Sequence, residues 1–176
     1  MVKVWDWPLR LFHWSLAVSV LVAWFTANVL DTVHEVAGYT VLGLIVFRLA
    51  WGFIGTRYSR FRSFIRPPWV VLRYLRQLMR GRPGRYLGLN PAGAAMAVAI
   101  LVLLAVSTIS GWMQITERFF GVEWVEHMHT YSSHLVVILA IVHVLSVLLM
   151  CVLQKENLVR AMIDGRKRAR SGDDGA

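Results

Sequence analysis

The residues best placed to do chemistry are six histidines, His13, His34, His127, His129, His134 and His143, all in or beside long apolar stretches. A polar side chain at membrane depth is costly and marks a functional position by default. A lone histidine is more often a hydrogen-bonded structural residue, so the question is whether several converge. Helical geometry supplies a test. His129 and His143 are 14 residues apart, close to four turns, and so share one side of a helix about 21 Å apart along its axis. His134 lies nine residues before His143, about 180° around the same helix. His127 shares its face. Two inward ligands therefore means His129 and His143, with His127 and His134 left for the rim, lipid or a partner. This requires a helix that begins before His129.

Their partners must come from other helices. His34 sits at the start of the second apolar run, level with His129. His13 lies near the far end of the first, about 22 Å from Asn28 along a continuous helix, at a depth similar to His143. Two pairs result: His34 with His129, and His13 with His143. Zinc would take four ligands and draw on cysteines or carboxylates. Two histidines facing each other across a bundle core suit an axially ligated haem iron instead. Two haems about 21 Å apart would bridge most of a hydrocarbon layer about 30 Å thick, making an electron wire across a membrane. With both axial positions filled, oxygen binding is not the expected task. No C-x-x-C-H motif occurs, which excludes covalent attachment of the c type.

Arg48 follows His34 by 14 residues, so it shares that face about 21 Å deeper, at the level of the second pair. A haem propionate is a suitable partner for a guanidinium there; snorkelling toward the interface marked by Trp51 and Arg57 is the alternative. Arg10, one turn before His13, has the same two readings. Gly38, Gly43 and Gly111 could admit a flat macrocycle, or simply allow close helix contact.

The elements that must position these residues follow from composition. Of 176 residues, 57% are apolar and only 16% charged, against roughly 25% charged in soluble domains. Mean hydropathy is +0.54. Disordered, collagen-like and disulfide-rich classes are excluded, since apolar residues abound and Cys151 is the sole cysteine; it reads as a packing residue. Apolar runs at Leu9–Leu30, Val36–Ile54, Ala92–Met113 and Tyr131–Leu153 each approach the about 20 residues that span a bilayer. None shows the two-residue alternation of a membrane barrel. The first run is long for a cleaved signal and lacks a clear small-x-small site near Ala23–Ala27. The expectation is an all-α integral membrane four-helix bundle in one domain, 1–176, with helices over about 9–30, 36–54, 92–113 and 129–153, a basic loop over 55–90 and a polar tail over 171–176.

The formal charge of +9 does not indicate nucleic-acid binding, because of its distribution. Nine of 19 Lys and Arg fall between Arg57 and Arg85, and six between Lys155 and Arg170. The positive-inside rule then places both termini and the basic loop in the cytoplasm. Within that loop, Trp69, Leu72, Leu75 and Met79 are interleaved with Arg73, Arg76 and Arg80, as in a helix lying on an anionic membrane surface; a docking surface for a soluble partner is the alternative.

Several segments resemble a known family. Val4-Trp5-Asp6-Trp7-Pro8-Leu9-Arg10 leading to Phe12-His13-Trp14, then His34-Glu35-Val36-Ala37-Gly38-Tyr39 and Phe47-Arg48-Leu49-Ala50-Trp51-Gly52, are similar to bacterial cytochromes of the b-561 type, which include the membrane subunits of nickel–iron hydrogenases. Arg85-Tyr86-Leu87-Gly88 with Asn90-Pro91, the His129 to His143 spacing and Glu156-Asn157-Leu158-Val159-Arg160-Ala161-Met162 extend the likeness over nearly the whole chain. The resemblance implies four helices in the bacterial inner membrane holding two non-covalent b haems on His13, His34, His129 and His143. Thr130, where the family often has an acid, and the extra His134 are departures. The hydrogenase subunits are typically longer, so that partnership is not implied.

The expected activity is electron transfer between the quinone pool and a periplasmic carrier such as a cytochrome c. Asp31, Glu35, Glu117, Glu123 and Glu126 in the loops opposite the basic side would steer a basic carrier. Superoxide oxidation with quinone as acceptor, suggested by another branch of the same family, ranks second because those acids repel an anion. A haem-free scaffold or metal-ion carrier is the third expectation, and it would show no Soret band.

Overall fold

The computed structural model describes residues 1–81 and 83–169. In chain order the elements are β1 (Val2–Lys3), α1 (Trp7–Thr26), α2 (Asp31–Ile54), α3 (Phe61–Phe64), α4 (Pro68–Met79), α5 (Pro91–Gln114), α6 (Glu123–Gln154), α7 (Leu158–Asp164) and β2 (Arg166–Lys167). Helices α1, α2, α5 and α6 are long and apolar enough to cross a membrane. No more than 28% of any of these spans' apolar windows is buried in the protein, so lipid has to cover the remainder. Arg82, Arg170 and the polar tail 171–176 lie outside the described residues.

All four long helices start before the apolar runs that announced them, α5 by the single residue Pro91. Helix α1 begins at Trp7 rather than Leu9, because Asp6 caps it by accepting the Leu9 N–H at 2.9 Å. It stops at Thr26 rather than Leu30; the Val29 and Leu30 N–H groups turn back to the Thr26 carbonyl. Helices α2 and α6 open on polar turns carrying Asp31 and Glu123 with Glu126. These carboxylates suit the positive end of a helix and are invisible to a hydropathy window. The early start of α6 supplies the extra turn that His129 requires. Its 32 residues extend about 48 Å, well beyond the hydrocarbon thickness.

The chain forms two compact units. The core unit comprises Leu11–Ala50 and Ala99–Ala140; the terminal unit comprises Met1–Arg10, Trp51–Val98 and Ile141–Ala176. In the core unit, Val41, Ile45, Leu104 and Val136 are buried together, flanked by Leu16, Val20, Ile100, Leu103 and Ala105. Small polar residues complete it. The hydroxyls of Ser107 on α5 and Ser133 on α6 are hydrogen-bonded at 2.7 Å, an interhelical contact of the kind that lets membrane helices approach closely.

The terminal unit is held by buried polar groups. Asp6 accepts hydrogen bonds from the hydroxyls of Thr56 and Ser59, each at 2.5 Å, and from the Trp51 indole N–H at 3.3 Å. Burial pushes its carboxyl up, but these donors outweigh burial and hold it below the usual aspartate value. Arg85 Nη2 donates to both oxygens of Glu156, at 3.2 and 3.1 Å, and to the Arg168 carbonyl at 2.7 Å. Glu156 is likewise pushed up by burial, yet lowered overall by the Arg168 N–H, by Arg85 and by Lys167. The buried Lys167 ammonium donates to the Tyr86 carbonyl at 3.0 Å, and burial pulls its pKa down. Tyr74 is buried, its hydroxyl pushed up to about 12 by burial and by Tyr86.

Strand β1 pairs antiparallel with β2, Val2 opposite Lys167. Gly165, at φ +79°, ends α7 in the left-handed conformation, and a Cβ there would lie 2.5 Å from the Trp5 carbonyl. Its own carbonyl accepts the Val4 and Trp5 N–H groups at 2.9 and 3.1 Å. The segments at both ends of the described chain therefore lie on one side of the membrane, as four crossings require.

Candidate functional site

His34 and His129 meet within the core unit. Their ring centroids are 6.1 Å apart and their planes nearly perpendicular, at 85°. His34 Nδ1 lies 2.7 Å from the Ala23 carbonyl of α1, and His129 Nδ1 lies 2.8 Å from the Ser107 carbonyl of α5. A carbonyl only accepts, so both Nδ1 atoms carry the proton and both Nε2 atoms hold a free lone pair. A metal-ligating imidazole needs this arrangement: one nitrogen anchored to an outer acceptor, the other available to the metal.

The spacing can be tested against a metal. Imidazole nitrogen sits about 2 Å from a bound transition metal. Two rings on opposite sides of one iron then have centroids about 6 Å apart. The observed separation matches. A hydrogen-bonded imidazole pair would instead need a donor on one Nε2, and both protons are already committed to carbonyls.

Glycine makes room for this. A Cβ on Gly111 would lie 2.9 Å from His129 Cε1 and 3.0 Å from Nδ1, so α5 seats the His129 ring on Gly111 while Ser107, one turn earlier, holds its proton. Gly111 thus accommodates the histidine itself, a more specific task than admitting a macrocycle. At Gly38, one turn after His34, a Cβ would meet nothing within 4 Å, and this open space beside the ligand suits a flat group; Gly43 has open space too, but it is exposed and about 180° around α2 from His34. Sequence reasoning did not find the roles of the Ala23 and Ser107 carbonyls, since backbone acceptors leave no residue-type signal.

The other candidates fall as follows. His13 is half-buried on α1 in the core unit, its ring edge-on to Trp14 with centroids 5.2 Å apart. His143 is half-buried on α6 in the terminal unit, where its carbonyl accepts the Ser146 hydroxyl at 2.8 Å. Arg48 is only 5% exposed, a buried setting in which a guanidinium needs an anionic or polar partner. Arg10 uses Nη1 to donate to the Ile163 carbonyl, while its buried Nε has no hydrogen-bond partner among the described residues. That orphaned donor is suited to an anionic group. His127 is exposed, paired with Glu123 at 3.4 Å and stacked on Tyr131, a rim residue as its helical phase requires. His134 is exposed too, its ring edge-on to Trp24 with centroids 5.4 Å apart. Among the described residues, no cluster of three or more His, Cys, Asp or Glu could hold a metal ion by itself, so histidine pairs are the relevant unit.

Comparison with known proteins agrees with this chemistry. The sequence profile of a family described as prokaryotic cytochrome b561 matches residues 4–165. The chain is 27% identical to a probable Ni/Fe-hydrogenase B-type cytochrome subunit of Rhodobacter capsulatus, over 94% of this chain and 81% of that protein. Proteins of the same description from Bradyrhizobium diazoefficiens and Azotobacter vinelandii are 24% and 26% identical, over 96% and 93% of this chain and 87% of each relative. No solved structure matches.

Proposed function

The chain belongs to the prokaryotic cytochrome b561 family, and from that premise we propose that it is a dihaem cytochrome carrying electrons between the quinone pool and a periplasmic carrier such as a cytochrome c. As a family member it is a multi-pass protein of the bacterial inner membrane, a b-type cytochrome working in electron transport. The relatives are named for a hydrogenase, which supports a redox partner here as well.

The observation that most supports the reading is the His34–His129 pair, two imidazoles with free Nε2 lone pairs at a spacing that would let both hold one haem iron. One haem b would be held there and a second by His13 and His143, a pairing that rests on helical spacing and family likeness. Bound haem b supplies reversible one-electron iron chemistry. The chain's own residues supply the rest. The Ala23 and Ser107 carbonyls fix tautomer and ring orientation and raise the basicity of the ligating nitrogens. Arg48 and the Nε of Arg10 would hold propionates, offsetting charge in a low-dielectric setting. The arginine-rich segment and both termini face the cytoplasm by the positive-inside rule, with α4 resting its exposed Trp69, Leu72, Leu75 and Met79 on lipid. The acidic first turns of α2 and α6 then face the periplasmic carrier.

A pyridine haemochrome assay on the purified protein tests the reading. Two b haems per chain are expected, falling to one in His129→Ala and in His13→Ala, and remaining two in His134→Ala. Absence of haem would overturn it in favour of a scaffold or metal-ion carrier; one haem would refute the dihaem arrangement.

A further inference from the structure

His134 is an imidazole on the exposed, lipid-covered side of a membrane helix, where polar groups are rare and costly. Its Nδ1 lies 2.7 Å from the Thr130 carbonyl one turn earlier, so Nδ1 carries the proton and Nε2 is a bare acceptor. No protein donor to that Nε2 is seen among the described residues. An acceptor left without a donor in hydrocarbon costs free energy, so the position gains from a ligand that brings one.

Its place in the core unit is specific. The Ala23 carbonyl holds His34, and the next residue of α1, Trp24, meets the His134 ring edge-on. His134 therefore lies within about one and a half helical turns of the His34–His129 pair, five residues or about 7.5 Å along α6 from His129. Trp24 is itself 39% exposed, so part of its indole next to the His134 ring is open to lipid. A ligand for this site must dissolve in lipid, present a flat ring to an indole and donate a hydroxyl hydrogen. Those are the properties of a quinol.

We propose that Trp24 and His134 form a quinol-binding site beside the His34–His129 pair, with the quinol hydroxyl donating to His134 Nε2 and its ring packed on the Trp24 indole. The inference rests on the reading of the chain as a quinone-linked cytochrome b and goes beyond it by locating the site and choosing the redox form. Because the Nδ1 proton is committed to Thr130, His134 accepts but does not donate. It satisfies the hydroxyl of a quinol and gives nothing to the carbonyl of a quinone, so the reduced form binds more tightly.

The test uses the haem-loaded protein in detergent with a short-chain ubiquinol as probe, and compares His134→Leu, His134→Gln and Trp24→Leu with His127→Leu as the control on the same helix. Two readouts are taken: haem reduction under anaerobic stopped flow, and labelling by a photoreactive quinol analogue mapped by mass spectrometry. Expected is a rise of about tenfold in the quinol KM for His134→Leu, matching the loss of roughly one hydrogen bond. Partial recovery is expected in His134→Gln, which retains an acceptor, with labelling of α1 and α6 peptides lost in His134→Leu. Haem content, the dithionite-reduced spectrum and His127→Leu should be unchanged. Wild-type KM and labelling in His134→Leu would overturn the site while leaving the quinone-linked reading intact. Failure of quinol to reduce the fully haem-loaded wild type would overturn both.

Discussion

The two units of the molecule solve opposite problems. The core unit must present reactive nitrogens inside a membrane, and it does so with almost no side-chain polar partners. His34 and His129 are anchored to backbone carbonyls, one of them seated on a glycine, within a packing of Val41, Ile45, Leu104 and Val136. The terminal unit, which also carries Arg10 and His143, concentrates ionic and hydroxyl groups in buried networks around Asp6 and around Arg85 with Glu156. The difference teaches where charge is tolerated. Around these two rings orientation falls to dipoles already required by the helices, while the buried Arg48 of the same unit is assigned to the anionic groups of a cofactor in the proposed reading. Where chain segments converge outside the spans, charged side chains can pin loops and chain ends that have too few apolar contacts to hold themselves.

This contrast predicts its own largest failure. Gly111→Leu should act like His129→Ala, removing one of the two proposed haems and about half of the Soret absorbance, because any side chain at 111 displaces the ring from the Ser107 carbonyl. Gly38→Ala, with nothing within 4 Å of its new methyl, should retain both haems in the same haemochrome assay. If Gly111→Leu keeps both, the glycine seat is not what positions the ligand.

Next in size is the ion pair of the terminal unit. Arg85 and Glu156 are 6% and 10% exposed, so Arg85→Met leaves a buried carboxylate without its guanidinium partner. A loss of about 3–5 kcal/mol is expected for breaking such a pair, read as a lower apparent Tm in detergent. Arg85→Met combined with Glu156→Leu should recover most of it, since an apolar replacement of both partners is often neutral. The His34–His129 haem should keep its spectrum in either variant below the transition.

Acid separates the units further. Asp6 and Glu156 both have pKa values held below their ordinary values. Each contributes stability that is present above the unfolded value of about 4 and is lost as pH falls through the folded value. Apparent Tm should therefore fall steeply below about pH 4, and Asp6→Asn should flatten that slope while lowering Tm at pH 7. An unchanged slope in both Asp6→Asn and Glu156→Gln would show that these networks do not set acid stability.

Much of the architecture was legible in the sequence, for a physical reason. Lipid imposes a long, uniformly apolar pattern on each span, and the 14-residue spacings of His129 with His143 and His34 with Arg48 can be placed by helical phase alone. What stayed hidden were polar helix starts, which a hydropathy window passes over at Asp31 and Glu123, and interactions made through the backbone. Asp6, Arg85 and Glu156 stood out in motifs resembling the family, but their task as staples of the terminal unit requires residues such as Arg85 and Arg168, 83 positions apart in the chain, to meet, and no local pattern encodes that.

The smallest effect expected comes from an ion pair that is the counterpart of Arg85–Glu156 in everything except burial. Glu123 and His127 are 86% and 57% exposed at 3.4 Å, in the first turns of α6. Water and salt screen such a pair, so Glu123→Gln should change stability by less than about 1 kcal/mol. Its consequence lies in encounter. With Glu126→Gln it removes two negative charges from the rim that the proposed carrier would meet, and electrostatic steering acts on association rates more than on stability. The reduction rate of a basic cytochrome c should drop several-fold at low ionic strength, and the difference should vanish near 0.15 M salt, where the Debye length is about 8 Å. A rate that is unchanged and insensitive to salt would remove the acidic rim from the docking surface and leave Glu123 and Glu126 only their favourable position at a helix start.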